Sequence, residues 1–351
     1  MSSVAIIGAN GQVGAEVCIH LSNAKNVELA CFFRSPYSSF MHRQLGLQCN
    51  TLDLEAVSQK GKSLSDFDVV VDFTYPTGNS AEALARIQLH IDRLGENVSN
   101  GAKVVFMSSL MAFGMPLNSQ QLANYYYPRT TYAAIKRTSE RILAKAAIKH
   151  HFVPYAIRLG EVHGWLQAVS AGMRQHMAAR QIVARNKPTD LSICVFASSV
   201  AAAICRIAED KVDPGMVSLV SSPQWSLQEL YQFYQQEATI PCDVRFMGRS
   251  SEMNKYPVLN SLMAFSSRYR QFIEVAVLMR SRTLSTLAKG LYRRSGVSAI
   301  PAGCLPNAIV KEHVFGSVPG RTIPDIRSSM NDVVQDGQVC KEMISNMLRI
   351  P

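Results

Sequence analysis

The first residues of the chain combine an apolar strand with a glycine-rich turn, and no other feature limits the possible folds as strongly. Val4 to Ile7 are continuously apolar, and Gly8, Gly11 and Gly14 follow at three-residue spacing. A helical apolar pattern then continues to about residue 21. A strand, a tight glycine turn and a helix N-terminus present free backbone N–H groups to a pyrophosphate, so this pattern predicts a dinucleotide site.

A second informative feature is a tyrosine and a lysine four residues apart, Tyr132 and Lys136, in a stretch with a helical pattern. Residues at this spacing lie on one face of a helix, within reach of each other. A phenol titrates near pH ~10, so it exchanges a proton at neutral pH only if a nearby cation stabilises the phenolate. The spacing therefore indicates a proton donor with its own activating cation.

Apolar segments alternate with helical patterns along the first part of the chain. The predicted strands cover residues 4–8, 27–33, 47–51, 68–74, 103–108 and 154–159, and the predicted helices cover 12–23, 79–94 and 130–149. Continuously apolar strands separated by helices indicate a parallel sheet covered on both faces. Residues 190–208 and 217–220 are expected to return to this sheet.

The glycine turn and the Tyr132–Lys136 pair together resemble the extended branch of the short-chain dehydrogenase/reductase superfamily, which includes sugar-nucleotide epimerases, dehydratases and reductases. Three more matches follow in the family's order: Asp53 at the adenine-contacting position, residues 108–114 (SSLMAFG) at the strand-end motif, and residues 158–164 (RLGEVHG) at the R-P-G-N-V-Y-G element. The resemblance covers roughly residues 1–235. It implies an α/β fold, a Rossmann-type doubly wound parallel sheet with a smaller C-terminal substrate lobe.

The same resemblance implies a division of the chain. Residues 1–165 are expected to form the NAD(P)-binding domain, with return segments at about 189–220. Residues 166–188 and 222–351 are expected to form the substrate lobe.

The resemblance also implies a catalytic set. Ser109, rather than Ser108, lies five residues before the glycine of the strand-end motif and would hydrogen-bond the reacting oxygen. Tyr132 would transfer the proton, while Lys136 would lower the pKa of that tyrosine and hold the nicotinamide ribose. The expected cofactor-binding residues are Gly8, Gly11, Gln12, Val13, Gly14, Arg34, Ser35, Asp53, Leu54, Thr74 and Lys136. The expected substrate-pocket residues are Tyr75, Ser108, Met111, Glu161 and His163.

The end of the second strand favours NADP over NAD. NAD sites usually place a carboxylate there against the ribose 2′-hydroxyl, whereas NADP sites place a cation against the 2′-phosphate. This chain has no acidic residue at that point and continues with Arg34 and Ser35, which offer two guanidinium donors and a hydroxyl.

Several positions depart from the family pattern and bear on the substrate. Leu110 and Met111 replace the Asp-Glu pair of the sugar-nucleotide dehydratases, so dehydration is not expected. Glu161 stands where many epimerases have a substrate-holding asparagine, and a carboxylate there would repel a diphosphate unless it were protonated or paired. Ser192 and Ser199 stand where the family has its diphosphate-binding arginine and a nearby aspartate.

Three functions stay open on this basis. The favoured one is an NADP-dependent oxidoreductase acting on a secondary alcohol or ketone of a nucleotide-linked or activated sugar, by reduction or epimerisation, with reduction favoured over epimerisation. The second is a ketoreductase of a non-sugar secondary metabolite. The third is a sensor that binds NADP without turnover, and the complete Ser109, Tyr132 and Lys136 set argues against it.

Composition suits a cytoplasmic enzyme with a small-molecule substrate. The eight cysteines of the 351-residue chain form no C-x-x-C pair and the eight histidines form no H-E-x-x-H cluster, so no metal is expected. The first strand begins too early for a signal peptide, and no apolar run reaches the ~18–20 residues of a membrane span. The net positive charge is not accompanied by a nucleic-acid-binding motif, so nucleic acid is not an expected partner. A homodimer is one alternative for the assembly.

Much of the net charge of +10 lies in a basic amphipathic segment, residues 249–294. Three roles are open for it: a helix of the lobe with a solvated charged face, a lid over an anionic substrate, or a weak contact with a membrane surface.

Overall fold

A computed structural model describes residues 1–52, 63–75, 80–113, 131–178, 181–184, 187–238, 241–246, 281, 283, 323 and 330–348. Strands and helices alternate along this part of the chain. The strands are β1 (Ser2–Ile7), β2 (Val27–Phe33), β3 (Gln48–Thr51), β4 (Val69–Asp72), β5 (Lys103–Ser109), β6 (Val153–Leu159), β7 (Glu161–His163), β8 (Gln181–Ala184), β9 (Cys194–Phe196), β10 (Gly215–Leu219) and β11 (Asp243–Phe246). The helices are α1 (Gln12–Ser22), α2 (Phe40–Gln44), α3 (Ser80–Asn97), α4 (Thr131–His150), α5 (Ala168–Met177), α6 (Ala197–Ala208), α7 (Leu227–Glu237) and α8 (Met330–Leu348).

Seven parallel strands form the central sheet in the order β10-β6-β5-β4-β1-β2-β3. The order reverses between β1 and β4, and in such sheets ligands bind at the carboxyl ends of the strands beside this switch point. The predicted doubly wound parallel sheet is therefore confirmed. The fourth strand is shorter than predicted, because Asp72 turns the chain: its carboxylate accepts a bond from the backbone N–H of Thr74 at 2.8 Å.

Helices cover both faces of the sheet, as continuously apolar strands require. On one face, α1 and α6 pack Val17, Leu21, Val200 and Ile204 against the strands. On the other face, α3 and α4 supply the core side chains Ile87, Ile91, Leu94, Leu143 and Ala147.

The segments expected to return to the sheet do so only in part. β10 adds a strand beside β6, and α6 covers the sheet, as expected. β9, which lies within the expected segment 190–208, instead pairs with β7 in a separate two-stranded sheet. β8 and β11, which lie outside the expected segments, form a second two-stranded sheet. A third apolar cluster around Phe196, Trp225, Phe233 and Tyr234 lies against these short sheets.

Among the described helices, none is both long enough and apolar enough to cross a bilayer. The basic segment 249–294 lies outside the described residues except for Ser281 and Thr283.

Candidate active site

The glycine turn after β1 is closely packed backbone. Gly8 has a φ of +77°, and a Cβ there would meet the backbone of Phe73 and Thr74 at 3.2 Å. A Cβ on Gly14 would lie 2.5 Å from the carbonyl oxygen of Gly8. These two positions exclude side chains, so the turn keeps its backbone open to a ligand.

The first turn of α1 leaves its backbone donors unfilled by side chains of its own. Its N-cap is Gly11, which provides no side-chain hydrogen bond, and no acidic residue lies in the first turn. Gln12 and Val13 therefore open the helix with backbone N–H groups suited to an anion.

One turn further along α1, the buried carboxylate of Glu16 has a different role. It accepts hydrogen bonds from the backbone N–H of Trp165 at 2.6 Å, from that of Leu166 at 2.9 Å, and from the side-chain amide of Gln167 at 2.8 Å. Glu16 therefore holds the loop that follows β7 against α1, close to the glycine turn. Sequence reasoning missed this residue, since a single glutamate on a helix carries no signal for a distant loop.

The end of β2 lies beside β1 in the sheet, with Phe32 opposite Ile7. Arg34 follows this strand and is exposed, while the hydroxyl of Ser35 caps a short 3-10 turn by accepting a bond from the backbone N–H of Tyr37 at 3.3 Å. The predicted adenine-side residues Asp53 and Leu54 lie outside the described residues.

Two elements far apart in the chain bring Ser109 and Tyr132 together. Ser109 is the last residue of β5, Tyr132 lies in the first turn of α4, and their hydroxyl groups are hydrogen-bonded. Ser109 also accepts a bond from the backbone N–H of Met111 at 3.3 Å. The phenol of Tyr132 remains 41% exposed, so it is open to an incoming molecule.

Lys136 lies one helical turn below Tyr132, where it is 6% exposed. Its Nζ donates to the carbonyl oxygen of Met107 at 2.7 Å. The same nitrogen lies 4.9 Å from the ring centroids of Tyr75 and Phe106, and 5.9 Å from that of Tyr132. The ammonium is thus held among three aromatic rings, whose π faces attract a cation.

The titration of this pair differs from the sequence expectation. Burial raises the pKa of Tyr132, and the hydrogen bond to Ser109 only partly offsets that effect. Burial lowers the pKa of Lys136 to about 8, against the raising influence of Asp72 and then Glu140. The ammonium of Lys136 donates to the Met107 carbonyl and lies beside the ring of Tyr132, so it does not offset the effect of burial on the phenol.

A buried carboxylate completes the site at the end of β4. Asp72 is hydrogen-bonded to the ring Nε2 of His90 at 3.0 Å, and the hydroxyl of Thr74 lies 3.2 Å from the same nitrogen. Burial disfavours charge on both partners, but the ion pair prevails: the pKa of Asp72 is lowered and that of His90 is raised. The available signal for Asp72 was an acidic residue at the end of an otherwise apolar strand; His90, on a helix of mixed composition, carried none.

Ser108 points away from Ser109, because side chains alternate along a strand. Its hydroxyl donates to Glu140 at 2.6 Å, and Arg158 donates to the two oxygens of that carboxylate at 2.8 and 2.7 Å. All three side chains are buried. The structure thus assigns Ser108 to a buried ionic network beneath Lys136 and not to an open pocket; the signal that could have revealed it was a charged residue, Arg158, within an apolar strand.

The two predicted pocket residues that follow β6, Glu161 and His163, also lie in different environments. Glu161 leaves the sheet beside Ser109, since Ser109 pairs with Leu159 and the chain then turns into β7. His163 is instead buried, with its Nδ1 2.7 Å from the hydroxyl of Tyr234. Burial lowers the pKa of His163, which keeps its imidazole neutral.

Ser192 and Ser199, at the positions of the family's arginine and aspartate, are both buried. The hydroxyl of Ser192 accepts a bond from the backbone N–H of Cys194 at 3.3 Å. Neither residue offers a charge to a diphosphate.

With this geometry in place, sequence comparisons add one family match. The profile of the N-terminus of dihydrodipicolinate reductase matches residues 2–92, which run from β1 into α3. A comparison with curated protein sequences gives no significant match.

Solved structures that resemble the chain include several UDP-sugar 4-epimerases, some of them in complex with NAD. UDP-N-acetylglucosamine 4-epimerase from Bacillus cereus has a TM-score of 0.53 and 16% identity over 72% of this chain and 87% of its own. UDP-glucuronic acid 4-epimerase from the same organism, in complex with NAD, has a TM-score of 0.52 and 14% identity over 70% and 87%. UDP-glucose 4-epimerase from Thermus thermophilus, also with NAD, has a TM-score of 0.50 and 18% identity over 70% and 86%. At these identities the likeness establishes a Rossmann-like fold and nothing finer.

Proposed function

We propose that the protein is an NAD(P)-dependent oxidoreductase or epimerase of the extended short-chain dehydrogenase/reductase type. The observation that carries this proposal is the meeting of Ser109, Tyr132 and Lys136 at the carboxyl ends of the strands. A protein that only binds a dinucleotide has no use for an exposed phenol bonded to a serine hydroxyl above a buried lysine.

The residues present fit a dinucleotide. Side chains are excluded at Gly8 and Gly14, which leaves room for a pyrophosphate against the turn, and the first N–H groups of α1 would bind its oxygens. When bound, the nicotinamide would accept or donate a hydride at a secondary alcohol or ketone. Lys136, freed from the Met107 carbonyl, would hold the nicotinamide ribose.

The proton chemistry falls to Tyr132. Its hydroxyl would take the proton from a substrate alcohol, or return one to a ketone, while Ser109 hydrogen-bonds the same oxygen. Because burial raises the pKa of Tyr132, the step needs the ammonium of Lys136 to approach the phenolic oxygen. The pKa of about 8 at Lys136 keeps that group mostly charged at neutral pH.

Arg34 favours NADP, because it is exposed at the end of β2 and no acidic residue follows that strand. The solved structures with a similar fold contain NAD instead. We therefore propose NADP on the basis of Arg34 and treat NAD as the competing cofactor, to be decided by titration.

For the substrate we propose a nucleotide-linked or otherwise activated sugar. The support is the likeness of the fold to UDP-sugar 4-epimerases. Glu161 and Ser192 weigh against a diphosphate at the family's usual contacts, and they favour the second candidate, a ketoreductase acting on a carbonyl compound without one. In either case, residues 166–188 and 222–351 would form the substrate lobe and residues 1–165 the cofactor domain.

Product analysis separates these functions. The purified protein would be incubated with NAD⁺ or NADPH and a panel of UDP-hexoses and simple ketones, and the products identified by NMR. Interconversion of two UDP-sugars without net cofactor consumption identifies an epimerase. Consumption of NADPH with a UDP-keto-sugar identifies a reductase, and consumption with simple ketones alone supports the second candidate. No turnover of any substrate class, despite tight dinucleotide binding, would refute catalysis in favour of a sensor.

A further inference from the structure

Two cysteines and a histidine meet in the core behind the glycine turn. Cys18 lies on α1, Cys31 on β2 and His42 on α2, and all three are buried. Their Sγ and ring nitrogen atoms lie within 4.8 Å of one another. The two sulfurs are 3.5 Å apart, close enough to share one ion.

His42 is the unusual member of this group. It is 1% exposed, yet neither of its ring nitrogens makes a hydrogen bond in the structure. Buried polar atoms are almost always paired, because leaving one unpaired costs about 1–3 kcal/mol. The ring is fixed in place edge-on against Phe33, with centroids 4.9 Å apart. The imidazole of His42 lies against two thiols without a hydrogen-bond partner. A metal ion between these groups would supply the missing partner.

We propose that Cys18, Cys31 and His42 bind a thiophilic metal ion, and that its chemistry is that of Zn²⁺. Thiolate and imidazole are the ligands this ion prefers, and the cluster offers none of the oxygen ligands that Mg²⁺ or Ca²⁺ require. Two thiolates and one neutral imidazole balance a divalent charge, so the occupied site can remain in an apolar core. On binding, each thiol releases its proton to solvent as the S–metal bond forms.

The geometry suits tetrahedral coordination. With Zn–S bonds of about 2.3 Å, sulfurs 3.5 Å apart subtend an angle of about 100° at the metal, close to the tetrahedral value. The candidate for a fourth ligand is Cys49, whose thiol donates to the carbonyl oxygen of Leu47 at 3.3 Å and would have to turn toward the ion. Cys49 of β3 pairs in register with Cys31 of β2, so both side chains project from the same face of the sheet.

The carbonyl of Ala9 approaches the His42 ring without making a hydrogen bond of normal geometry, and in metal sites the second ring nitrogen commonly donates to such a carbonyl. Because Ala9 belongs to the glycine turn, the ion would connect α1, β2 and α2 directly behind the proposed pyrophosphate site.

Cobalt titration of the wild-type chain tests the proposal without any assay of activity. The protein would be stripped with a chelator under reducing conditions, titrated with Co²⁺, and back-titrated with Zn²⁺. The expected result is a thiolate-to-cobalt absorption band with tetrahedral d–d bands that saturates at one equivalent and is abolished by Zn²⁺. Absence of the thiolate band would overturn the proposal.

Variants localise the site. His42→Gln and Cys18→Ala are expected to weaken Zn²⁺ binding by at least ~10-fold, whereas Cys242→Ala, a cysteine outside the cluster, leaves it unchanged. Cys49→Ala tests whether Cys49 is a fourth ligand, because Zn²⁺ binding weakens only if it is. The variant keeps the three primary ligands, so it remains informative if a variant in the core fails to fold. Equal binding of Zn²⁺ by His42→Gln and wild type would refute the site. It would also be refuted if the isolated protein carried a Cys18–Cys31 disulfide, detected by mass, and bound no metal after reduction. Neither result depends on the proposed catalytic function, since a protein that turned over no substrate could still bind the ion.

Discussion

Two regions of the molecule handle their polar groups in opposite ways. At the cofactor edge, formed by the carboxyl ends of β1, β4 and β5 with the start of α4, the phenol of Tyr132 is exposed and the first N–H groups of α1 lack side-chain caps. At the side formed by β7, β9, α5 and α7, called the lobe side because α5 and α7 lie in the proposed substrate lobe, backbone and hydroxyl groups bond to one another. The backbone N–H of Gly164 donates to Ser170 at 2.8 Å, and the hydroxyls of Ser170 and Tyr234 are 2.6 Å apart.

This difference indicates that the groups needed for the reaction and the groups needed for stability lie in different regions of the molecule. Groups left open at the cofactor edge are available to a ligand, so changes there should reduce activity more than stability. Groups satisfied on the lobe side hold the fold, so changes there should reduce stability first. Single substitutions in each region test that separation.

Tyr132→Phe should lower turnover by about 10²- to 10⁴-fold, because it removes the transferable proton and keeps the ring. Thermal unfolding should change little, since Tyr132→Phe keeps the ring and its packing and removes only a hydroxyl on a side chain that is 41% exposed. Steady-state kinetics and calorimetry measure the two effects. Tyr37→Phe, at a tyrosine that is 92% exposed, is the matched control. Near-native turnover in Tyr132→Phe would show that another group donates the proton.

Glu140→Ala should destabilise the protein by about 3–5 kcal/mol, because it leaves Arg158 buried without its bidentate partner. The free energy of unfolding in urea measures the loss, and Glu96→Ala, at an exposed glutamate, is the control. The network lies beneath Lys136, so this variant also tests where stability begins to affect chemistry. A loss no larger than that of the control would mean that Arg158 finds another partner.

Arg34→Ala should weaken NADP binding by roughly 10- to 100-fold, corresponding to a charge-assisted bond of about 1.5–3 kcal/mol. Binding of NAD should change little, since NAD has no 2′-phosphate. Calorimetric titration with both dinucleotides measures the difference. Equal losses for the two, or a native preference for NAD, would contradict the assignment of NADP.

Tyr234→Phe should destabilise the lobe side by about 1–3 kcal/mol, because His163 and Ser170 both lose a buried hydrogen-bond partner. Activity per folded molecule should remain close to that of the wild type. Denaturant melts and active-site-normalised kinetics give the two numbers. A selective loss of turnover in a stable variant would mean that Tyr234 takes part in the reaction, and it would contradict the proposed difference between the two regions.

The smallest expected effect is the pH-dependent stability from Asp72 and His90, at most about 1 kcal/mol because the histidine is partly exposed. The pKa of His90 is raised, so its contribution is complete below the ordinary 6.5 and is lost as pH rises through the folded value. The pKa of Asp72 is lowered, so its contribution is present above 3.8 and is lost as the pH falls through the folded value.

Unfolding of the wild type and Asp72→Asn, measured across pH, tests this arrangement. The stability difference should be greatest between those two ordinary values and should shrink toward alkaline pH. Arg34, which disfavours protonation of His90, must be kept in both proteins. A difference that grew with rising pH would have the wrong sign for this ion pair.

The sequence predicted the cofactor edge better than the lobe side, and the reason is physical. The glycine turn and the Tyr132–Lys136 spacing are set by local backbone geometry, so a short window is enough to reveal them. Three other arrangements join residues from separate elements: the bonds between Glu16 and residues 165–167, the Ser108–Glu140–Arg158 network, and the cysteine–histidine cluster. Their partners are chosen by the packing of the whole fold, and no spacing along the chain records that choice.

The alternation rule marks the limit of motif reasoning most clearly. Ser108 and Ser109 are neighbours in one motif, yet one hydroxyl binds Glu140 in the core and the other binds Tyr132 at the surface. The direction of each side chain follows from the strand register. The role of Glu140 emerges only once α4 packs against the sheet.

We propose above that Tyr132 carries the proton of a hydride-transfer reaction with a bound dinucleotide. The most direct test is rapid mixing of the protein, loaded with oxidised dinucleotide, against UDP-sugars and secondary alcohols, while the absorbance of the reduced nicotinamide is followed. Reduced nicotinamide should form in the wild type and not in Tyr132→Phe, although both proteins bind the dinucleotide equally. Failure of the wild type to bind either dinucleotide, or equal reduction in the two proteins, would contradict this proposal.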